Sequence, residues 1–172
     1  MRRNCIKQIS FIISKDWMAF MWFLYVSIVV FNLTAFLMKK NLRPIEYYAS
    51  IFWGLFCSEI ADCFAYKYDM YGFFDPYFLD AKTLLIVLGI YPAATMLIIN
   101  WYPFNRSFII KFFYIIVWSV FSTFYEWLTL KMGYLYHHHW NLWLSAVSYP
   151  FLYAALLGNL KFIRWLEHIK TK

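Results

Sequence analysis

The chain has 172 residues, of which 63% are hydrophobic, 25% aromatic and only 15% charged. A soluble domain of this size cannot hide that much apolar surface, so the composition points to a single membrane domain over residues 1–172 whose first partner is the lipid bilayer. The net charge of +7 does not imply nucleic acid, because the 16 Lys and Arg residues fall in short clusters between apolar runs, as loop charges that set membrane topology do.

Taken in order, residues 3–14 read either as an interfacial amphipathic helix or as a frayed tail. Ile6, Ile9, Ile12 and Ile13 cluster on one side, Lys7, Ser10 and Ser14 lie opposite, and Phe11 breaks the pattern. The apolar run 17–38 is too long for a signal-peptide core and ends in Lys39-Lys40 with no small-residue cleavage site, so it reads as a retained span. Span 46–66 is about the length of a membrane-crossing helix, roughly 20 residues, yet it carries Glu59 and Asp62. Ser50, Gly54 and Ser58 recur at steps of four and Asp62 continues the series, so this face is expected to pack closely on another helix and turn Asp62 into protein. Cys57 and Cys63 lie on different faces of the same helix, which argues against a disulfide between them; Cys5 makes the count odd.

The connection 68–81 carries Asp69, Asp75 and Asp80 among aromatics and is expected at the membrane interface. Span 82–101 has Pro92 at its middle, which predicts a kink, with Gly89 and Ala93 spaced for close packing. Span 107–130 carries Ser119, Ser122, Thr123, Glu126 and Thr129 at steps of three and four, a polar stripe expected to face the bundle. His137, His138 and His139 follow in the next connection. Span 141–166 has Pro150 as a second kink and Ala154-xxx-Gly158 as a second packing site. The fold expected is therefore an all-α integral membrane bundle of about five helices.

Five spans put the termini on opposite sides. The N-terminal side carries seven Lys and Arg residues (Arg2, Arg3, Lys7, Lys15, Lys67, Lys82, Lys131) against nine on the other, which points to a cytoplasmic C-terminus in the cell membrane, although the basic N-terminus argues the other way. In either orientation Glu59, Asp62, Glu126 and the His run gather in one half of the membrane. Asp62, Glu126 and at least one of His137 to His139 are expected to line a common polar pocket. Neutral imidazoles beside carboxylates suit a divalent metal such as zinc, but adjacent His side chains cannot all point one way and no HExxH-type spacing is present, so a metal is the less favoured ligand. The acid cluster supports a binding or transport-related protein for a cation, proton or small polar ligand. The alternatives are a structural or assembly subunit with a membrane-protein partner, and a membrane-embedded enzyme using Glu126 or Asp62 with a His as acid and base.

From Tyr91 onward the residues Tyr91-Pro92-Ala93, Pro103 and a basic turn, Trp118, Tyr125-Glu126, Lys131-x-Gly133, a His pair and Trp140-Asn141-Leu142-Trp143-x-Ser145 form a series. With Asp62 and Phe74-Asp75-Pro76 upstream, it resembles a group of small multi-pass membrane proteins of Bacillus and Clostridium relatives, over about two thirds of the chain. The chain departs from that pattern in having one residue, His139, between the His pair and Trp140 where the group has two, and Glu59 has no counterpart. The resemblance implies five spans and supplies no reaction or substrate.

Overall fold

The computed structural model describes residues 21–73, 81–133 and 135–170. The 3–14 segment, Cys5, Asp75 and Asp80 lie outside the described residues. The fold is all-α with one small ladder: α1 (Met21–Leu37), then α2 (Pro44–Lys67), β1 (Tyr71–Phe73), α3 (Ala81–Gly89), α4 (Tyr91–Asn100), α5 (Phe108–Met132), β2 (Leu135–His137) and α6 (Leu142–Lys170). Three helical stretches are long and apolar enough to cross a membrane: Thr83–Asn100, Phe108–Met132 and Leu142–Glu167, with mean hydropathies of 1.9, 1.7 and 1.2. α1 is a shorter apolar helix. α2 is long, at 24 residues, but it carries Glu46, Glu59, Asp62 and Lys67 and is not one of the three.

Proline chemistry breaks the Thr83–Asn100 stretch where the sequence predicts. Pro92 has no N–H to offer the carbonyl of Leu88, and the helix interrupts at Ile90, between α3 and α4. Bonds from Ile90 N–H to Ile86 O (2.9 Å) and from Ala94 N–H to Ile90 O (2.9 Å) carry the chain across the break. Asn32 of α1 reinforces the site, its amide donating to Gly89 O at 2.6 Å and to its own helix at Ile28 O at 2.8 Å. Pro150 lies inside α6, which continues through it.

α2 packs against α4 and α6, and α5 packs against α6. The core at their meeting holds Tyr47, Ile98, Ile99, Tyr153, Leu156 and Leu160; a second cluster joins Leu24 of α1 to Ile86 and Ile90. The small-residue face of α2 packs closely on α4. Ser50 is fully buried, and a Cβ built on Gly54 would stand 2.9 Å from Thr95 Oγ1 of α4. The second packing site expected from sequence, at Ala154 and Gly158, is not one. Both residues are exposed, and a Cβ on Gly158 would meet nothing within 4 Å. α6 buries the face bearing Tyr153, Leu156, Leu157 and Leu160 instead, and spacing alone does not say which face of a helix is turned inward.

The end of the bundle remote from the His run is tied by polar groups. Asn100, at the close of α4, accepts the Asn41 N–H at 2.9 Å and the Tyr47 hydroxyl, and donates to Lys39 O at 3.0 Å. Glu46 stands at the third position of α2, after Pro44, and accepts the Arg43 backbone N–H at 2.7 Å, which caps the helix. Its other oxygen accepts Arg164 Nε at 2.5 Å, and the Arg164 guanidinium lies 3.9 Å from the centre of the Phe104 ring. Glu46 is only 2% exposed while the Arg164 side chain is 35% exposed, so α2 and α6 are joined here by a half-buried ion pair.

Replacing Gly54 with Leu overpacks the α2–α4 contact at a cost of about 1–3 kcal/mol. The purified variant in detergent is expected to melt below the parent protein; an unchanged Tm would mean that the two helices are not in tight contact.

Candidate functional site

Two helix ends set the site. α2 closes in a left-handed cap at Asp69 (φ 51°), with Asp69 N–H donating to Tyr66 O at 3.2 Å and Met70 N–H to Ala65 O at 2.8 Å. α5 closes at Gly133 (φ 83°), whose N–H reaches Thr129 O at 3.0 Å; glycine takes this conformation without the Cβ penalty. Each cap turns the chain out of its helix, and the two emerging segments pair antiparallel as β1 and β2, with Tyr71 opposite His137, Gly72 opposite Tyr136 and Phe73 opposite Leu135. Backbone bonds from His138 N–H to Met70 O (2.9 Å) and from His139 N–H to Asp69 O (3.2 Å) extend the pairing. The Tyr136 ring covers Gly72: a Cβ at this position would fall 2.4 Å from the Tyr136 hydroxyl oxygen, so a side chain there would have to push the ring aside.

The pairing delivers Tyr71 to Asp62 and His137 to Glu126. The Tyr71 hydroxyl donates to Asp62 Oδ1 at 2.9 Å. Burial, then the charge of Asp62 and the hydrogen bond to it, and then the charge of Glu126 all push the Tyr71 pKa upward, so the phenol stays a donor. Glu126 is filled from α6. Asn141 starts that helix by accepting the Leu144 N–H at 3.0 Å, which places Ser145 and Tyr149, one turn apart, on the face toward α5. Ser145 donates to Glu126 Oε1 at 2.6 Å and Tyr149 to Oε2 at 2.7 Å, while Trp140 Nε1 donates to Ser145 Oγ at 2.7 Å. His137 Nε2 lies 2.9 Å from Glu126 Oε1. The distance is that of an ion pair, but the ring N–H is poorly aimed, and Nε2 has no hydrogen-bond partner among the described residues. The two side chains are only 11% and 8% exposed.

Asp62 and Glu126 line one cavity of about 310 Å³, to which α1, α2, α3, α4, α5 and α6 all contribute. Tyr71, Trp140, Ser145 and Tyr149 stand with the acids, and the walls are dominated by aromatic and aliphatic side chains such as Phe31, Trp53, Trp118, Phe121 and Tyr125. The pocket is therefore not polar throughout, as the sequence leads one to expect, but an apolar chamber with an acidic end. The other sequence candidates are placed elsewhere. Glu59 is half-buried next to Asp62 but does not line the cavity. His138 and His139 are exposed and turn to Asp69, His138 Nδ1 lying 2.9 Å from its carboxylate and His139 Nδ1 3.1 Å from its carbonyl. The His run thus divides, and among the described residues no three His, Cys, Asp or Glu side chains converge as a metal-holding group.

The hydroxyl stripe divides as well. Ser122, Glu126 and Thr129 line the cavity, with Ser122 bonded to the Tyr153 hydroxyl and Thr129 to the Glu126 carbonyl at 2.7 Å. Ser119 and Thr123 line a separate groove between α5 and α6 and satisfy themselves on backbone carbonyls one turn back. The side chains that hold Glu126, namely Ser145, Tyr149 and His137, include two that sequence reasoning missed, and Tyr71 was missed at Asp62. Ser145 and Tyr149 had a usable signal, since polar residues four apart at the start of an apolar helix share a face. Tyr71 had none, because its position depends on a ladder of three residue pairs.

The two acids are expected to respond differently to mutation. Glu126→Ala strands the buried Ser145 and Tyr149 hydroxyls at about 1–3 kcal/mol each, whereas Asp62→Asn removes a charge with one donor and leaves stability within about 1 kcal/mol. Thermal melts of both variants in the same detergent check this, and equal losses would contradict it. No protein-family model, no curated protein and no solved structure matches this chain.

Proposed function

We propose that this chain is a five-span protein of the cell membrane, with its C-terminus in the cytoplasm, that binds a cation or other small polar ligand at the Asp62 end of its cavity. This is the behaviour of a binding or transport-related protein. The observation that carries the reading is the unequal treatment of two acids in one chamber. Both Glu126 oxygens accept protein hydroxyls and His137 stands beside them, whereas Asp62 accepts the Tyr71 hydroxyl alone among the described residues. An ionisable group within a membrane bundle, facing a cavity and short of partners, is a site for a charged or donating ligand. The motif likeness to the small Bacillus and Clostridium proteins supports the same five-span arrangement.

Titration of the purified protein in phosphatidylcholine nanodiscs with sodium, magnesium, ammonium and alkylammonium chlorides tests this. At least one of these cations is expected to bind saturably, and Asp62→Asn to weaken it ten-fold or more while the protein stays folded. Equal binding by parent and variant, or none by either, would reject the cation site and favour an assembly subunit. Reporter fusions at the two termini are expected to register opposite compartments; matching compartments would rule out five crossings.

A further inference from the structure

We infer that the ligand of this site is an organic ammonium with an apolar body, its charge held by Asp62 and its body lying against the aromatic walls of the half-open cavity. This deepens the cation-site reading above and rests on it. The chamber is too large for a bare ion. Its volume of about 310 Å³ lies at the lower end of the ~300–1,000 Å³ range of organic-ligand cavities. Its walls also lack the chemistry of an inorganic ion site. A hard cation such as calcium takes about six to eight oxygen ligands, whereas these walls are mainly carbon and most of their few oxygens already make a hydrogen bond within the protein. Ser58 Oγ donates to Leu55 O at 2.9 Å, Tyr71 donates to Asp62, and both Glu126 oxygens accept from α6.

What the walls do offer is aromatic surface. Ten of the lining residues are Phe, Tyr or Trp, and the faces of such rings attract a poorly hydrated organic cation that has left water. Trp118 and Phe121, with ring centres 5.6 Å apart at near right angles, and Phe31, 6.4 Å from Phe121, form one such surface. Charge selects the head and the apolar lining selects the body. A neutral molecule of the same shape leaves the Asp62 charge uncompensated, and a metal ion leaves the chamber unfilled.

The test uses the full chain in phosphatidylcholine nanodiscs, with empty discs subtracted, and two probes of nearly equal shape: benzyltrimethylammonium and its uncharged counterpart neopentylbenzene. The expected result is saturable binding of the ammonium at least ten-fold tighter than of the neutral compound, with little competition from sodium or magnesium. Asp62→Asn is expected to weaken the ammonium ten-fold or more and Asp62→Glu to restore it. Phe121→Leu, which keeps most of the apolar volume and removes the ring, is expected to weaken it about three-fold or more. Asp62-dependent binding of sodium or magnesium without competition by the ammonium would overturn this inference while leaving the cation-site reading intact. Equal affinity for the two probes would overturn it as well, and indifference of every cation to Asp62→Asn would remove both readings. Should Asp62→Asn fail to fold, the comparison of the two probes on the parent chain and on Phe121→Leu decides the matter alone.

Discussion

The antiparallel pairing of Tyr71–Phe73 with Leu135–His137 is the constraint on which the rest of the site depends. It is short, and an isolated ladder of this length would not persist in water. It holds because both of its strands are fed by helix caps with left-handed residues, Asp69 after α2 and Gly133 after α5, so each strand leaves its helix in a fixed direction. Register then does the chemical work. Side chains alternate along a strand, and a slip of one residue would turn either Tyr71 or His137 to the other face of the ladder, away from its acid. Gly72 under the Tyr136 ring helps to fix that register.

The two ends of the bundle use buried acids in different ways. At the remote end Glu46 has one oxygen on the N-terminal cap of α2 and the other on Arg164. A carboxylate so engaged joins helices, each of its oxygens already accepting from the protein. Glu126 belongs to the same class in spite of its position in the cavity, since hydroxyls from α6 occupy both of its oxygens. Asp62 does not. The distinction lies in the donor count around each oxygen, and burial alone would have ranked Glu46 and Glu126 above Asp62 as candidate sites.

Much of this was legible in the sequence, and the parts that were not have a common cause. The all-α fold, the break near Pro92, the close approach at Gly54 and the presence of Asp62 and Glu126 on one cavity follow from local rules: proline lacks a donor, small residues at steps of four make a groove, and helix length carries a residue to a given membrane depth. The role of Glu46 was also within reach, because Pro44 followed by Glu46 is the pattern of a helix start, yet a span drawn over 46–66 takes it only as the first residue of the helix. The division of the His run and the outward turn of Ala154 and Gly158 could not be read locally. Each depends on which face of an element meets a partner distant in the chain. The hydroxyl stripe shows the same limit: its periodicity is real, but a stripe that drifts around the helix serves two different surfaces, the cavity at Ser122 and Glu126 and the outer groove at Ser119 and Thr123.

The cavity itself follows from how the helices are held. Tight helix packing would close a chamber of this size, since empty apolar space forfeits contacts on every wall. Here the walls are fixed from both ends. The ladder joins α2 to α5 through their C-terminal caps, and the Asn100 and Glu46 networks join the opposite end of α2 to α4 and α6. Between these anchors the chain breaks between α3 and α4 alongside the chamber, and Ile86 and Ile90 together with Ala94 and Thr95 line the space. Asn32 bonded to Gly89 O stabilises the broken form. Proline, ladder and polar anchors therefore hold the walls apart, and the chamber they keep open ends at the acid with the fewest protein partners.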